Sequence, residues 1–478
     1  MDFTSMKLPV LALLLLFFAH SSLFPHDPPM PDGGKSVEIA LPEAMKSAIA
    51  RYKPQAETII AAARADSLLY RQLAEMCDAF GSRLSGSQAL EQAIDWVVNT
   101  MKKDGLDAVA TEAVMVPHWV RGNESAELLV PHRKPIAMLG LGGSIATPAG
   151  GITADVLVVQ SFDELKRRSA EAQGKIVLFN VPFTQYGETV QYRVNGAVAA
   201  ARAGAVASLV RSVGPASLYT PHTGVMHYND SVRKIPHAAI SLEDAAMLQR
   251  MQDRGQTPRF RLTMTCQTLP DAPSRNVIAE IRGTERPQEV VVMGGHIDSW
   301  DVGHGAMDDG GGCFAAWHAL RTIIKSGLRP KRTIRVVFWT NEENGLKGGA
   351  KYLENRANAV DNHILAIESD AGTFAPQGFD IEGSDSARAV IREICSLLGG
   401  IGATSVEKGY AGADVSPLTG KGVPGAGLKV EGSKYFWYHH TNADTMDKLD
   451  PDELNRCAAA LGVLAFVAAD LPFAIPRK

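Results

Sequence analysis

The stretch from Val290 to Asp370 leaves few folds open. Three apolar runs, Val290 to Met293, Thr333 to Thr340 and Ile364 to Ile367, are separated by helix-length segments, Cys313 to Ser326 and Leu346 to Arg356. Runs without polar alternation read as strands buried on both faces, and strand, helix, strand, helix, strand is the signature of a parallel sheet with right-handed crossovers. Polar residues gather directly after each run. His296, Asp298, Asp301, Asp308 and Asp309 follow the first; Asn341, Glu342 and Glu343 the second; Glu368, Ser369 and Asp370 the third. In such sheets the ligand crevice lies outside the carboxyl ends of the strands, so His296, Asp308, Glu342, Glu343 and Asp370 are aimed at one crevice. That many carboxylates repel and raise one another's pKa unless cations stand among them. After another largely apolar stretch, Gly425 to Val430, the loop Tyr438-His439-His440-Thr441 adds two imidazoles. Imidazoles with several carboxylates suit zinc, and the oxygen-rich positions suit the bridging of two ions.

Five stretches in this order, GGHIDS, GAMDDGGG, NEENGLKGG, ESDAG and HHTNADT, resemble the motifs of the M28 metallopeptidases. The resemblance covers nearly the whole chain beyond its leader. It implies an α/β fold, a zinc-dependent aminopeptidase-like three-layer sandwich with a mixed, mainly parallel central sheet, and a dizinc exopeptidase acting on dipeptides or short peptides. Motif by motif, it makes Asp308 the carboxylate bridging two Zn2+ ions. His296 and Asp370 then complete one ion's shell, and Glu343 and His440 the other's. Glu342 is implied as the general base, facing a different way from its neighbour Glu343. Asp298, two residues from His296 and on the same side if the segment is extended, fits a partner that fixes the imidazole. GYAGAD, Gly409 to Asp414, is similar to the family's G-Y-x-x-S-D stretch, which makes Tyr410 the oxyanion donor; Ala413 departs from the usual serine there. Gly310, Gly311 and Gly312 let the backbone approach the ions closely. His304 and His439 stay outside this set, and Trp300, Phe436 and Trp437 fit either a pocket lining or a packed core.

Two other classes share this fold. A non-catalytic receptor or binding protein keeps it with a dismantled metal site, and here the ligand set and Glu342 are complete. A glutaminyl cyclase-like acyltransferase typically uses one zinc and lacks an inserted domain, so metal stoichiometry discriminates.

Lys7 followed by the apolar run Leu8 to Ala19 reads as a secretory signal over 1–21, ending in small residues, with a Pro- and Asp-rich linker over 22–35. A secreted or periplasmic protein is expected, with no membrane association once the signal is cleaved. Peptidase residues are expected at 36–129 and 268–478. The region 130–267 differs in texture, with glycine-rich turns, short strands DVLVV and KIVLF, and a helix from Gly196 to Gly204. It reads as an insertion between neighbouring strands, Ala108 to Val116 and Ser274 to Gly283, and resembles the protease-associated (PA) domain of some M28 enzymes. From Ala56 to Met76 and again from Gln88 to Lys103 the apolar spacing is helical, with the break GSRLSGS between. Pro451, behind a capping Asp450, opens a last helix. A formal net charge of -4 gives no footprint for nucleic acid. The 5 cysteines are too scattered for a disulfide framework, though a single bridge stays open. The partner expected is a peptide substrate, and the resemblance implies a homodimer.

Overall fold

A computed structural model describes residues 39–477, so the expected signal peptide and linker lie outside the described residues. Two eight-stranded sheets organise the chain. The first contains β1 (Ala108–Val120), β2 (Gln267–Ile281), β3 (Arg286–His296), β4 (Arg332–Trp339), β5 (His363–Glu368), β6 (Pro376–Glu382), β7 (Ser405–Lys408) and β8 (Gly425–Val430), in the spatial order β1-β2-β4-β3-β5-β8-β6-β7. Strands β4, β3, β5 and β8 lie side by side and parallel. Antiparallel pairings of β1 with β2, β2 with β4 and β6 with β8 make the sheet mixed.

The unbroken apolar runs are buried on both faces because each face has its own core. Val291, Met293, Ile334 and Val336 pack towards the helices Lys53–Arg64, Gly311–Lys325 and Pro451–Asp470. Their alternate neighbours Val290, Val292, Val337 and Trp339 pack with Tyr352, Val415 and Leu418 on the other side. Asp450 caps the last helix, its carboxylate accepting the N–H groups of Asp452 and Glu453 at 2.8 and 3.0 Å. The helical run expected from Ala56 to Met76 is two helices, Lys53–Arg64 and Leu69–Phe80. It breaks where the Asp66 carboxylate accepts the Leu68 N–H at 2.7 Å and pairs with His318 at 2.8 Å, a local bond that competes with the helix ladder.

β1 and β2 pair along their length, from Ala108 opposite Glu280 to Val120 opposite Gln267. This ribbon carries the chain into the second sheet and back. In spatial order that sheet is Lys134–Ile136, Glu124–Val130, Arg259–Met264, Ile152–Val159, Ile176–Phe179, Ala207–Arg211, His237–Ile240 and Met138–Gly140. It closes on its own core, including Leu128, Val158, Leu178, Leu209 and Phe260. The sheet takes in Glu124–Val130, ahead of 130, because this half-buried strand shows its role only through its distant partner Arg259–Met264. The helix of this unit runs from Tyr186 to Arg202, starting well before Gly196; polar residues Thr189 and Arg193 occupy its buried face and hide the periodicity. No helix among the described residues is long and apolar enough to cross a membrane. All five cysteines are free and buried.

Candidate active site

Side chains from four parallel strand ends meet at one point. His296 closes β3 and Asp308 lies in the loop after it; Glu343 follows β4, Asp370 follows β5, and His440 lies in the loop beyond β8. Asp308 stands between two groups of donors. Its Oδ1 is 3.2 Å from His296 Nε2, which is itself 3.4 Å from Asp370 Oδ1. Its Oδ2 is 3.3 Å from His440 Nε2, which is 3.0 Å from Glu343 Oε2. One carboxylate therefore offers an oxygen to each of two histidine–carboxylate pairs.

The chemistry of these donors fits divalent cations. His296 Nε2, Asp308 Oδ2 and Asp370 Oδ1 are buried without a hydrogen-bond partner in the protein, an arrangement that is costly unless something else compensates it. Both imidazoles face backbone carbonyls through Nδ1: Asp298 O lies 2.9 Å from His296, and Thr223 O lies 3.3 Å from His440. A carbonyl can only accept, so Nδ1 of His296 carries a proton and its Nε2 faces the carboxylates, whereas His440 Nδ1 lies between the Thr223 carbonyl and Arg193 Nη1 at 3.4 Å. Two imidazoles among buried carboxylates form a donor set of the kind zinc takes.

Without cations the site is electrostatically frustrated. Burial first, and then Asp308, push Glu343 well above the ordinary carboxylate range. Glu342 is raised likewise by burial, and beyond it by Asp370, Asp298 and Asp308 against the opposing pull of His296. Asp309 is driven up by burial and by Asp370. Positive charge in the crevice reverses this balance.

The other expected residues have distinct places. The Asp298 carboxylate stands 3.9 Å from His296 Nδ1, farther than its own carbonyl oxygen. It accepts instead the N–H groups of Glu342 and Glu343, at 3.0 and 3.4 Å, and the Ser85 hydroxyl at 3.2 Å. Asp298 thus holds both glutamates through their backbone. The Tyr410 hydroxyl is buried without a hydrogen-bond partner, and burial together with the charges of Glu368 and Glu342 raises it above its ordinary value. His439 joins the site too, stacked on His440 at a centroid distance of 3.5 Å with Nε2 3.8 Å from Asp308 Oδ2. His304 takes a scaffolding place, its N–H donating to the Asp444 carbonyl at 2.6 Å. Trp300 is buried with its ring 5.6 Å from His440, and its backbone N–H donates to Glu343 Oε1 at 3.2 Å. His440 adopts φ 61°, a left-handed conformation that costs a non-glycine residue about 1–2 kcal/mol.

Carboxypeptidase Q of Xenopus laevis is 50% identical to this chain over 438 residues, covering 91% of this chain and 93% of that protein. Carboxypeptidase Q of Homo sapiens is 48% identical over 439 residues with the same coverage, 91% and 93%. Peptidase family M28 matches residues 276–465, the span that carries every donor described above. The chain belongs to peptidase family M28. Its family and its carboxypeptidase relatives make it a metallo-exopeptidase. The crystal structure of a Peptidase M28 precursor from Shewanella amazonensis SB2B superimposes with a TM-score of 0.87 at 35% identity, over 90% of this chain and 99% of that one. A zinc aminopeptidase from Bacillus subtilis shares the fold, with a TM-score of 0.62 at 19% identity over 85% of this chain and 95% of that one.

Several residues that shape this M28 site escaped sequence reasoning. Asp444 accepts the N–H groups of Ala306, Met307 and Asp308 at 3.0, 2.6 and 3.2 Å, and so fixes the loop that presents the Asp308 carboxylate. Asp309 accepts the N–H groups of His296 and Gly312 at 3.1 and 3.0 Å. Arg83, fully buried, ties the same loop from below by donating to the carbonyls of Ile297, His304 and Gly305 at 2.8, 2.6 and 2.9 Å. The signals were present, since Arg83 sits in GSRLSGS, Asp309 in GAMDDGGG and Asp444 in HHTNADT, but nothing in the spacing says which backbone they meet.

Proposed function

We propose that the chain is an exported dizinc exopeptidase that hydrolyses dipeptides or short peptides with Glu342 as general base. The observation that carries this reading is the position of Asp308, with one oxygen at His296 and Asp370 and the other at His440 and Glu343. His296, Asp370 and Asp308 would hold one zinc, and Glu343, His440 and Asp308 the other. Zinc at these positions, when bound, acidifies an attacking water and polarises the scissile carbonyl. The rest falls to the chain's own groups. Glu342, next to a metal-holding residue yet outside both donor pairs, takes the proton from the attacking water and returns it to the leaving amine. Asp298 keeps Glu342 and Glu343 in register through their N–H groups. The Tyr410 O–H donates to the oxygen that becomes negative as the carbonyl turns tetrahedral. The second sheet, in the manner of a PA domain, walls one side of the crevice. Export rests on the leucine-rich leader, and a homodimer on the likeness to carboxypeptidase Q.

Glu342→Gln tests the reading. Turnover of free dipeptides should fall about 10²- to 10⁴-fold while bound metal is retained. Dipeptides blocked at one end or the other then reveal which terminus is recognised. Wild-type rates in Glu342→Gln would remove Glu342 from the chemistry.

A further inference from the structure

The two donor pairs are not braced in the same way. His296 is held by groups of its own sheet's loops, the Asp298 carbonyl on its Nδ1 and the Asp309 carboxylate on its N–H. His440 is held from the inserted unit. The Thr223 N–H donates to the His440 carbonyl at 2.9 Å, and the Thr223 carbonyl faces His440 Nδ1 at 3.3 Å while also accepting from Arg193 Nη1 at 3.4 Å. These contacts grip a residue whose left-handed backbone needs support.

Glu343 is braced from the same side through Trp300. The Trp300 N–H donates to Glu343 Oε1, and the indole, together with Val302, is buried in the hydrophobic core of the second sheet. Gly142, just past the strand Met138–Gly140, packs against the ring, where an added Cβ would fall 2.1 Å from a ring carbon. Arg121, on the ribbon between the sheets, locks the two halves together. It pairs with Asp301 in the loop of Trp300, its Nε 2.8 Å from the carboxylate, and donates to Thr223 Oγ1 at 3.2 Å and to the Gly140 carbonyl. Thr223 in turn donates its hydroxyl to Gly140 O at 2.9 Å.

We propose that the inserted unit sets the metal affinity of the position formed by His440 and Glu343, and leaves the position formed by His296 and Asp370 to the first sheet. This rests on the two-zinc reading above. Thr223, Trp300, Gly142 and Arg121 are then positioning residues, acting on the ion only through the two ligands they hold.

The test is zinc titration of metal-free protein against a chromophoric chelator, comparing wild type with Gly142→Ala, Thr223→Val and Arg121→Gln. Glu343→Ala and Asp370→Ala, each lacking one ligand, assign the two dissociation constants to positions. Gly142→Ala displaces the Trp300 ring, and Arg121→Gln frees the Asp301 loop and Thr223. Thr223→Val keeps the backbone groups on His440 but loses the Oγ1 contacts that anchor them to Arg121 and Gly140. In each the constant of the His440–Glu343 position should weaken about 10-fold, and up to about 100-fold if an outer partner of a ligand is lost outright, with the other unchanged. Circular dichroism and melting curves identify folded variants; should Gly142→Ala fail to fold, Thr223→Val and Arg121→Gln decide. Constants that move together, or that stay at wild-type values in folded variants, would overturn the inference while leaving two zinc ions in place. A wild type that binds a single zinc would overturn the two-zinc reading itself, and this inference with it.

Discussion

Asp444→Asn probes the loop that presents Asp308. In the wild type one carboxylate oxygen takes the N–H groups of Ala306 and Met307 at 3.0 and 2.6 Å, and the other takes that of Asp308 at 3.2 Å. An asparagine can keep its oxygen on the first two, but its NH₂ then faces the Asp308 N–H, donor against donor. One buried charge-assisted bond is lost, worth about 1.5–3 kcal/mol, and the other two become weaker neutral bonds. If that energy is what holds Asp308 in place, metal binding should weaken about 10- to 100-fold, because tenfold corresponds to about 1.4 kcal/mol. Since Asp308 serves both donor pairs, both zinc dissociation constants should rise. That separates Asp444 from the inserted-unit contacts, where only one is expected to change. Chelator-competition titration of Asp444→Asn measures this, with thermal melting as the check on folding. Wild-type constants for both ions in a folded variant would refute the role given to Asp444.

Two further outcomes follow from packing and burial. In Gly312→Ala the new methyl would lie 1.8 Å from the Ser369 carbonyl oxygen and 2.3 Å from Asp309 Oδ1, so soluble expression or metal content should collapse; a normally loaded, active variant would show that the helix start can yield. His237 and His363 are buried and neutral, each lowered to about 4 chiefly by burial. Their folded values lie below the unfolded 6.5, so as pH falls the unfolded chain takes up protons first, and stability present above that pH is lost between roughly 6.5 and 4, up to about 3 kcal/mol for each. The raised carboxylates of the metal-free site act in the opposite direction, so the effect is read as a difference. The denaturant midpoint of the wild type minus that of a folded His363→Gln should fall from pH 7 to pH 4.5, and a difference that stays constant would contradict the burial argument.

What could be read from the sequence was whatever is local. Val290 to Met293, Thr333 to Thr340 and Ile364 to Ile367 announce buried parallel strands because both faces are covered, and the polar residues just beyond them must emerge at one edge. The gathering of His296, Asp308, Glu342, Glu343 and Asp370 at one crevice was legible for that reason; the doubled imidazole brought His439 and His440 beside them, and only the family resemblance singled out His440. Contacts that depend on two distant segments docking were not. Asp298 lies near His296 in sequence, yet its carboxylate serves Glu342 and Glu343 across a neighbouring strand. The helix break at Asp66 depends on His318, far along the chain. Thr223 reads as an ordinary loop residue until the second sheet is folded against His440.

The central claim is that Asp308 joins two metal positions into one catalytic centre. Zinc content per chain, measured by mass spectrometry on wild type and on Asp308→Ala after equal exposure to zinc, tests it most directly. The account predicts about two equivalents in the wild type, and in a folded Asp308→Ala the loss of both with the loss of dipeptide hydrolysis. A single equivalent in the wild type, or a variant that keeps its zinc and its activity, would contradict it.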